Sequence, residues 1–167
     1  LGQVPSPLGV YNHVISAKII NLGTTQISDL PVSLVVSGAN SFSNAKTINI
    51  APQDTTIVEF NSFSPWNQGT NTITVSIPDD EDDSNNSAVY TQLVNDRTFS
   101  YADNSNSITA AGFGSTSGIL LTKYSVSGSA VVKKVKVHIG DQPSNEGNNI
   151  YAVVMQYGSI IATTVPH

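Results

Sequence analysis

The chain has no cysteine, which excludes a disulfide framework and any thiolate metal site. Secretion stays open, because a core of sufficient size holds without cross-links. Charge is sparse: Asp, Glu, Lys and Arg together make up 11% of the 167 residues. No extended run of Ala, Leu, Glu and Lys at helical spacing occurs, so long helices are not expected. No segment approaches the roughly 18 consecutive apolar residues of a membrane span. No basic stretch followed by an apolar core opens the chain, so no signal peptide is read there. It begins Leu1-Gly2 rather than with Met, as expected of a processed protein or an excised fragment. The balance is mildly acidic, with no basic patch of the kind that binds nucleic acid.

What is present is Ser, Thr and Asn in abundance, with Val and Ile as the main apolar residues, a β-rich composition. Short runs alternate apolar with polar residues between Gly, Pro, Asn and Asp, the mark of antiparallel strands. They lie at His13–Asn21, Leu30–Ser37, Lys46–Ile50, Thr55–Phe60, Asn71–Ile77 and Ser87–Val94. Within them Val32, Leu34 and Val36 share one face, as do Ile73, Val75 and Ile77. Strands spaced in this way predict a β-sandwich over residues 1–95.

A polar connector follows from Asn95, carrying Phe99 and Tyr101. The strand pattern then restarts at Ser107–Ala111, Gly118–Val126, Ala130–Ile139, Asn149–Tyr157 and Ser159–Thr164. Val135 and Val137 alternate with Lys134 and Lys136, giving one dry and one basic face; Tyr157-Gly158-Ser159 is placed to close a hairpin. Tyr151 and Tyr157 share parity with Val153 and Met155 and are expected to face the core. A second antiparallel β unit is therefore expected over residues 96–167. It is small for covering both faces of a sheet. Either it is cut within a larger domain, its missing strands supplied by another copy or its edge left open, or it packs as a small sheet on the first unit.

Net charge concentrates in one place. Asp79-Asp80-Glu81-Asp82-Asp83 supplies five of the twelve acidic residues, and the other seven balance seven Lys and Arg. Calcium takes six to eight oxygens, and Asp79, Asp80, Asp82, Asp83 and Asn85 are the candidate ligands. The run fails the EF-hand pattern, since no Gly stands at its sixth position and Tyr90, not Glu, stands at its twelfth. Consecutive side chains also diverge, so a solvated loop is the competing reading, with repulsion of neighbouring strand edges as a further role.

Catalytic patterns are missing. His13, His138 and His167 are far apart and form no metal motif. The Gly-x-Ser-x-Gly elbow does not occur, and Gly112–Gly118 lacks the Gly-Lys-Ser/Thr ending of a phosphate loop. The scattered carboxylates form no pair for glycoside hydrolysis. Trp66, the only tryptophan, lies in Phe63-Ser64-Pro65-Trp66-Asn67. It reads either as a plug at the sheet end or as an exposed platform for stacking on sugar.

Taken together, Val14–Ile20 with Asn21-Leu22-Gly23, Leu30–Leu34 with Gly38, Ile50-Ala51-Pro52 leading to Thr56–Phe60, Gly69–Val75 and the acidic loop ending in Asn85-Asn86 form a pattern. It resembles the bacterial cell-adhesion-related domain (CARDB), over about residues 10–94. The resemblance implies an immunoglobulin-like or fibronectin-III-like sandwich that recurs in large exported proteins. The family spreads its acidic residues through this loop, whereas here they are compressed into one run. Phe99-Ser100-Tyr101, Ala111–Gly114, Gly118-Ile119-Leu120 and Gly147–Val153 look like β modules of surface and secreted proteins of Bacteroidetes-type bacteria.

These resemblances imply a non-catalytic spacer or adhesion module of a larger exported bacterial protein, secreted or at the cell surface. Its expected partners are other domains of the same polypeptide and a surface protein or glycan. No cofactor is expected beyond the calcium considered above. The alternative is a carbohydrate-binding module that accompanies a secreted enzyme.

Overall fold

The computed structural model describes residues 2–6, 12–101, 118–137 and 146–166. The chain is all-β, with nine strands and one short 3₁₀ turn among these residues. It divides into two compact units, one of residues 1–107 with Leu121–Gly128, the other of Ile108–Leu120 with residues 129–167.

The first unit is a β-sandwich. Its larger sheet has the order β1-β7-β6-β3-β4, from β1 (Gln3–Pro5), β7 (Ser87–Asn95), β6 (Gly69–Ser76), β3 (Ile27–Gly38) and β4 (Phe42–Ile50). Its smaller sheet pairs β2 (Ser16–Ile20) antiparallel with β5 (Thr55–Glu59). The period-2 pattern decides which faces meet. Val32, Leu34 and Val36 of β3 and Ile73 and Val75 of β6 point inward, against Val58, Phe60 and Phe63 from the β5 side. Each fully buried branched side chain contributes about 1.5–3 kcal/mol relative to an exposed one, which sets this cluster as the main source of stability.

Turns hold the two sheets in register. Asn21 is buried, and its Nδ2 donates to the carbonyls of Thr25 (2.8 Å), Ile50 (3.3 Å) and Ala51 (3.1 Å). Its Oδ1 accepts from the Gly23 N–H at 2.9 Å, closing an Asx turn. The Asn-x-Gly step is thus a bracket between the β2–β3 turn and the end of β4. At the start of β3 the register with β4 shifts between Ile27 and Leu30. Asp29 there has φ 54°, and its N–H donates to Asn49 Oδ1 at 2.8 Å, the behaviour of a β-bulge.

β1 was not legible as a strand in the sequence. It runs parallel to the last strand of the unit, Gln3 opposite Leu93 and Pro5 opposite Asn95. Gly2 O accepts from Leu93 N–H at 2.8 Å, and Ser6 N–H donates to Asn95 O at 2.7 Å. After β7 the chain doubles back, and Gln3 and Ser100 exchange two backbone hydrogen bonds of 3.0 Å on the other side of β1.

In the second unit β8 (Val153–Gln156) and β9 (Ser159–Thr163) form a hairpin. Tyr157 and Gly158, with φ 49° and 84°, make its two-residue turn, as the sequence predicts. That conformation carries Tyr157 to 99% exposure, and Tyr151 is 61% exposed, so neither faces a core as their parity suggested. Residues 118–126 and 131–137 belong to no strand, although their pattern predicts strands. The Ser107–Ala111 run lies outside the described residues, as do the last two residues of the Ala130–Ile139 run, and the described remainder meets no partner ladder.

Candidate functional site

Three features of the first unit bear chemistry: a loop end carrying Trp66, the acidic run, and a groove beside β2.

The Trp66 loop follows β5. Phe60 N–H donates to Ile15 O at 3.0 Å, and His13 and Phe63 exchange backbone bonds of 2.8 and 3.0 Å. These bonds turn Phe63 inward, where its ring stacks on Phe42 at 5.6 Å between centroids. Phe63 and Pro65 thus plug the sheet end, and Trp66, read as a candidate plug, is instead 64% exposed. Its backbone is nevertheless fixed. Ser6 Oγ donates to Trp66 O at 2.9 Å. Asn40 and Asn67 pair reciprocally, with Asn67 N–H to Asn40 Oδ1 at 2.9 Å and Asn40 Nδ2 to Asn67 O at 2.8 Å.

Beneath this pair sits Asn71, fully buried on the inward face of β6. Its Oδ1 accepts from Asn40 N–H (2.9 Å) and Asn40 Nδ2 (3.0 Å), and its Nδ2 donates to Gln92 Oε1 at 3.1 Å. Buried polar groups that satisfy one another in this way rigidify what they join. Gly38, with φ 104°, lets the β3–β4 turn approach within a distance no side chain permits, since a Cβ there would lie 2.3 Å from Thr70 O. The result is an exposed indole on a preorganised loop, a surface suited to stacking on a sugar face or an aromatic partner. Sequence reasoning missed the Asn71–Gln92–Asn40 network; its one signal was an Asn in an inward position of an otherwise apolar alternation.

The acidic run follows β6. Asp82 Oδ1 accepts from Ser84 N–H (3.1 Å) and Ser84 Oγ (2.5 Å), and its Oδ2 accepts from Asn85 Nδ2 (3.1 Å). Asp80 Oδ1 accepts from Asp82 N–H at 2.8 Å. Asp82 therefore caps the 3₁₀ turn Asp83–Asn85, and the Ser84 hydrogen bonds hold its carboxyl below the usual carboxylate range. Asp79 and Asp83 stand exposed on the same loop. Among the described residues no three His, Asp or Glu side chains form a metal-binding group. Asn86, at 6% exposure, has an Oδ1 that meets no donor among the described residues. Leaving such an acceptor unpaired costs about 1–3 kcal/mol.

The groove was not foreseen. On the β4–β5 side the sandwich is closed by polar contacts, Lys46 Nζ to Asn61 Oδ1 and Asn61 N–H to Asn44 Oδ1, both 2.9 Å. On the opposite side, among the described residues, no strand pairing joins β2 to β7. A groove of about 720 Å³ opens there, with Ile15 and the β2 residues Ala17 and Ile19 along one wall and Ile77, Ala88 and Tyr90 in its floor. Asn85 and Asn86 line it beside the acidic run.

Other candidates do not join these features. His13 is bridged to Phe63 through the backbone, while His138 and His167 lie outside the described residues. Phe99, Tyr101 and Tyr124 form an aromatic cluster with Tyr124 at 5.2 and 5.3 Å from the other two rings, so the two aromatics of the connector are packed, as expected of them, while residues 102–107 of the connector lie outside the described residues. Burial, with Tyr101 beside it, pushes the Tyr124 hydroxyl pKa up. Among the described residues no helix is long and apolar enough to cross a membrane. Comparison with protein-family models, curated proteins and solved structures gave no match to this chain.

Proposed function

We propose that the chain is a non-catalytic spacer and adhesion module of a larger exported polypeptide, in line with its resemblance to the cell-adhesion-related domain. The observation that carries this reading is the parallel pairing of β1 with β7. Tension between the two ends of such a unit loads the β1–β7 hydrogen bonds along the strands, so they must break together rather than one at a time. The antiparallel exchange between Gln3 and Ser100 peels first and leaves that clamp as the final barrier. Resistance to force is governed by the unfolding rate, which such a barrier lowers.

Pulling on the full chain through its ends tests this. The expected trace has one high-force step for the first unit, lowered by Ser6→Pro, which deletes the N–H bonded to Asn95 O. A first unit that yields at low force with or without the substitution would remove the spacer reading.

A second reading, carbohydrate binding, draws on the 64% exposure of Trp66 over its fixed loop. Native gel electrophoresis in soluble polysaccharides tests it: retardation abolished by Trp66→Ala supports a glycan site, and equal mobility in every polysaccharide removes it.

A further inference from the structure

The bare side of β2 defines what fits against it. Ile15 O accepts from Phe60 N–H, and Asn21 N–H donates to Asp54 O, both at 3.0 Å. Backbone direction alternates along a strand, so odd-numbered residues face β5 while the N–H and C=O groups of Ser16, Lys18 and Ile20 face away. Among the described residues β2 pairs with β5 alone, and no backbone bond reaches those three residues from the other side. Beside them runs the groove, whose floor is Ile73, Val75 and Ile77 with Ala88 and Tyr90. A strand laid there completes a hydrogen-bond ladder on one side and sets alternate side chains on an apolar floor. At the acidic end stands Asn86, whose buried Oδ1 meets no donor among the described residues. An occupant that suits all three properties is extended, apolar at every second residue, and positive.

Residues 131–137 read Val-Val-Lys-Lys-Val-Lys-Val and hold three of the seven Lys and Arg, with no acidic residue. They belong to no ladder, and Val135 and Val137 are 47% and 67% exposed. We propose that a second copy of this chain adds its 131–137 segment as a strand along the free edge of β2. The valines cover the groove floor, and the lysine-rich half lies toward Asp79–Asp83. Charge complementarity selects this occupant: the most basic segment of the chain meets its most acidic one.

Sedimentation of the full chain over a range of concentrations, at low and at high salt, tests the proposal. Expected is association that salt weakens and that Lys134→Glu with Lys136→Glu weakens by about tenfold or more. Mixing that variant with Asp80→Lys/Asp82→Lys protein restores it, a rescue that loss of folding cannot mimic. Lys18→Pro deletes only an outward N–H, keeps the β5 ladder and abolishes association. A monomer at all concentrations overturns the proposal, and so does association indifferent to these substitutions. So does a monomer whose Ser16, Lys18 and Ile20 amides are already protected from hydrogen exchange, since the edge is then covered from within the same chain.

Discussion

Val32, Leu34 and Val36 are 0, 0 and 1% exposed, whereas Val135 and Val137, in the same every-second-residue pattern, are 47% and 67% exposed. The two stretches read alike as sequence. They differ in what surrounds them: β3 has β4 and β6 on its flanks and Val58 and Phe60 across the core, while residues 131–137 have no ladder. Alternation specifies which face of a strand is apolar; a neighbour on each side and a layer above decide whether that face becomes dry.

Substitution should widen this contrast most at Leu34. Leu34→Ala is expected to cost about 2–5 kcal/mol, whereas Val135→Ala should stay within about 0.5 kcal/mol. Urea unfolding of the two variants measures both, and equal losses would break the comparison. Next comes the buried polar network of the first unit. Asn71→Ala removes the hydrogen bonds to Gln92 Oε1 and Asn40 N–H, at an expected cost of about 1–3 kcal/mol in the same assay.

Two glycines sharpen the contrast at the level of backbone. Gly38→Ala meets both a positive φ and the Thr70 carbonyl, and about 1–3 kcal/mol of strain is expected. Gly158→Ala in the hairpin of the second unit has a positive φ but open space, so about 1 kcal/mol is expected, read as a smaller shift in thermal midpoint. The smallest effect concerns pH. The Asp82 carboxyl is held below its ordinary value of 3.8, so its contribution to folding is complete above that value. It is lost as pH falls through the lower folded value. The Ser84 amide resonance, followed by NMR during acid titration, should move with a midpoint below pH 3.8, and Asp82→Asn should flatten that curve.

Much of the first unit was legible because its residues announce their roles locally. The alternations in β3 and β6, the Asn21-Leu22-Gly23 turn and the acidic loop all follow from side-chain chemistry within a few positions. β1 was illegible because three residues carry no period and their partner stands at the far end of the unit. Trp66 reads in the sequence as one candidate plug for the sheet end; the His13–Phe63 backbone bridge instead sets Phe63 inward. The groove was beyond reach for another reason. No residue encodes it, since it arises where β2, among the described residues, has one neighbour instead of two.

The pairing of β1 with β7 also sets an order of events during synthesis. Gln3 leaves the ribosome some ninety residues before Leu93 and has no β7 strand to join until Leu93 follows it. The β3–β4 and β2–β5 ladders connect nearer parts of the chain and can close first. Contacts that span a whole unit slow its folding, and domains complete as units during elongation. Within this unit the first strand in sequence is thus among the last to be placed. A nascent unit stopped anywhere before residue 93 leaves this segment without its β7 partner until the final strand of the unit arrives.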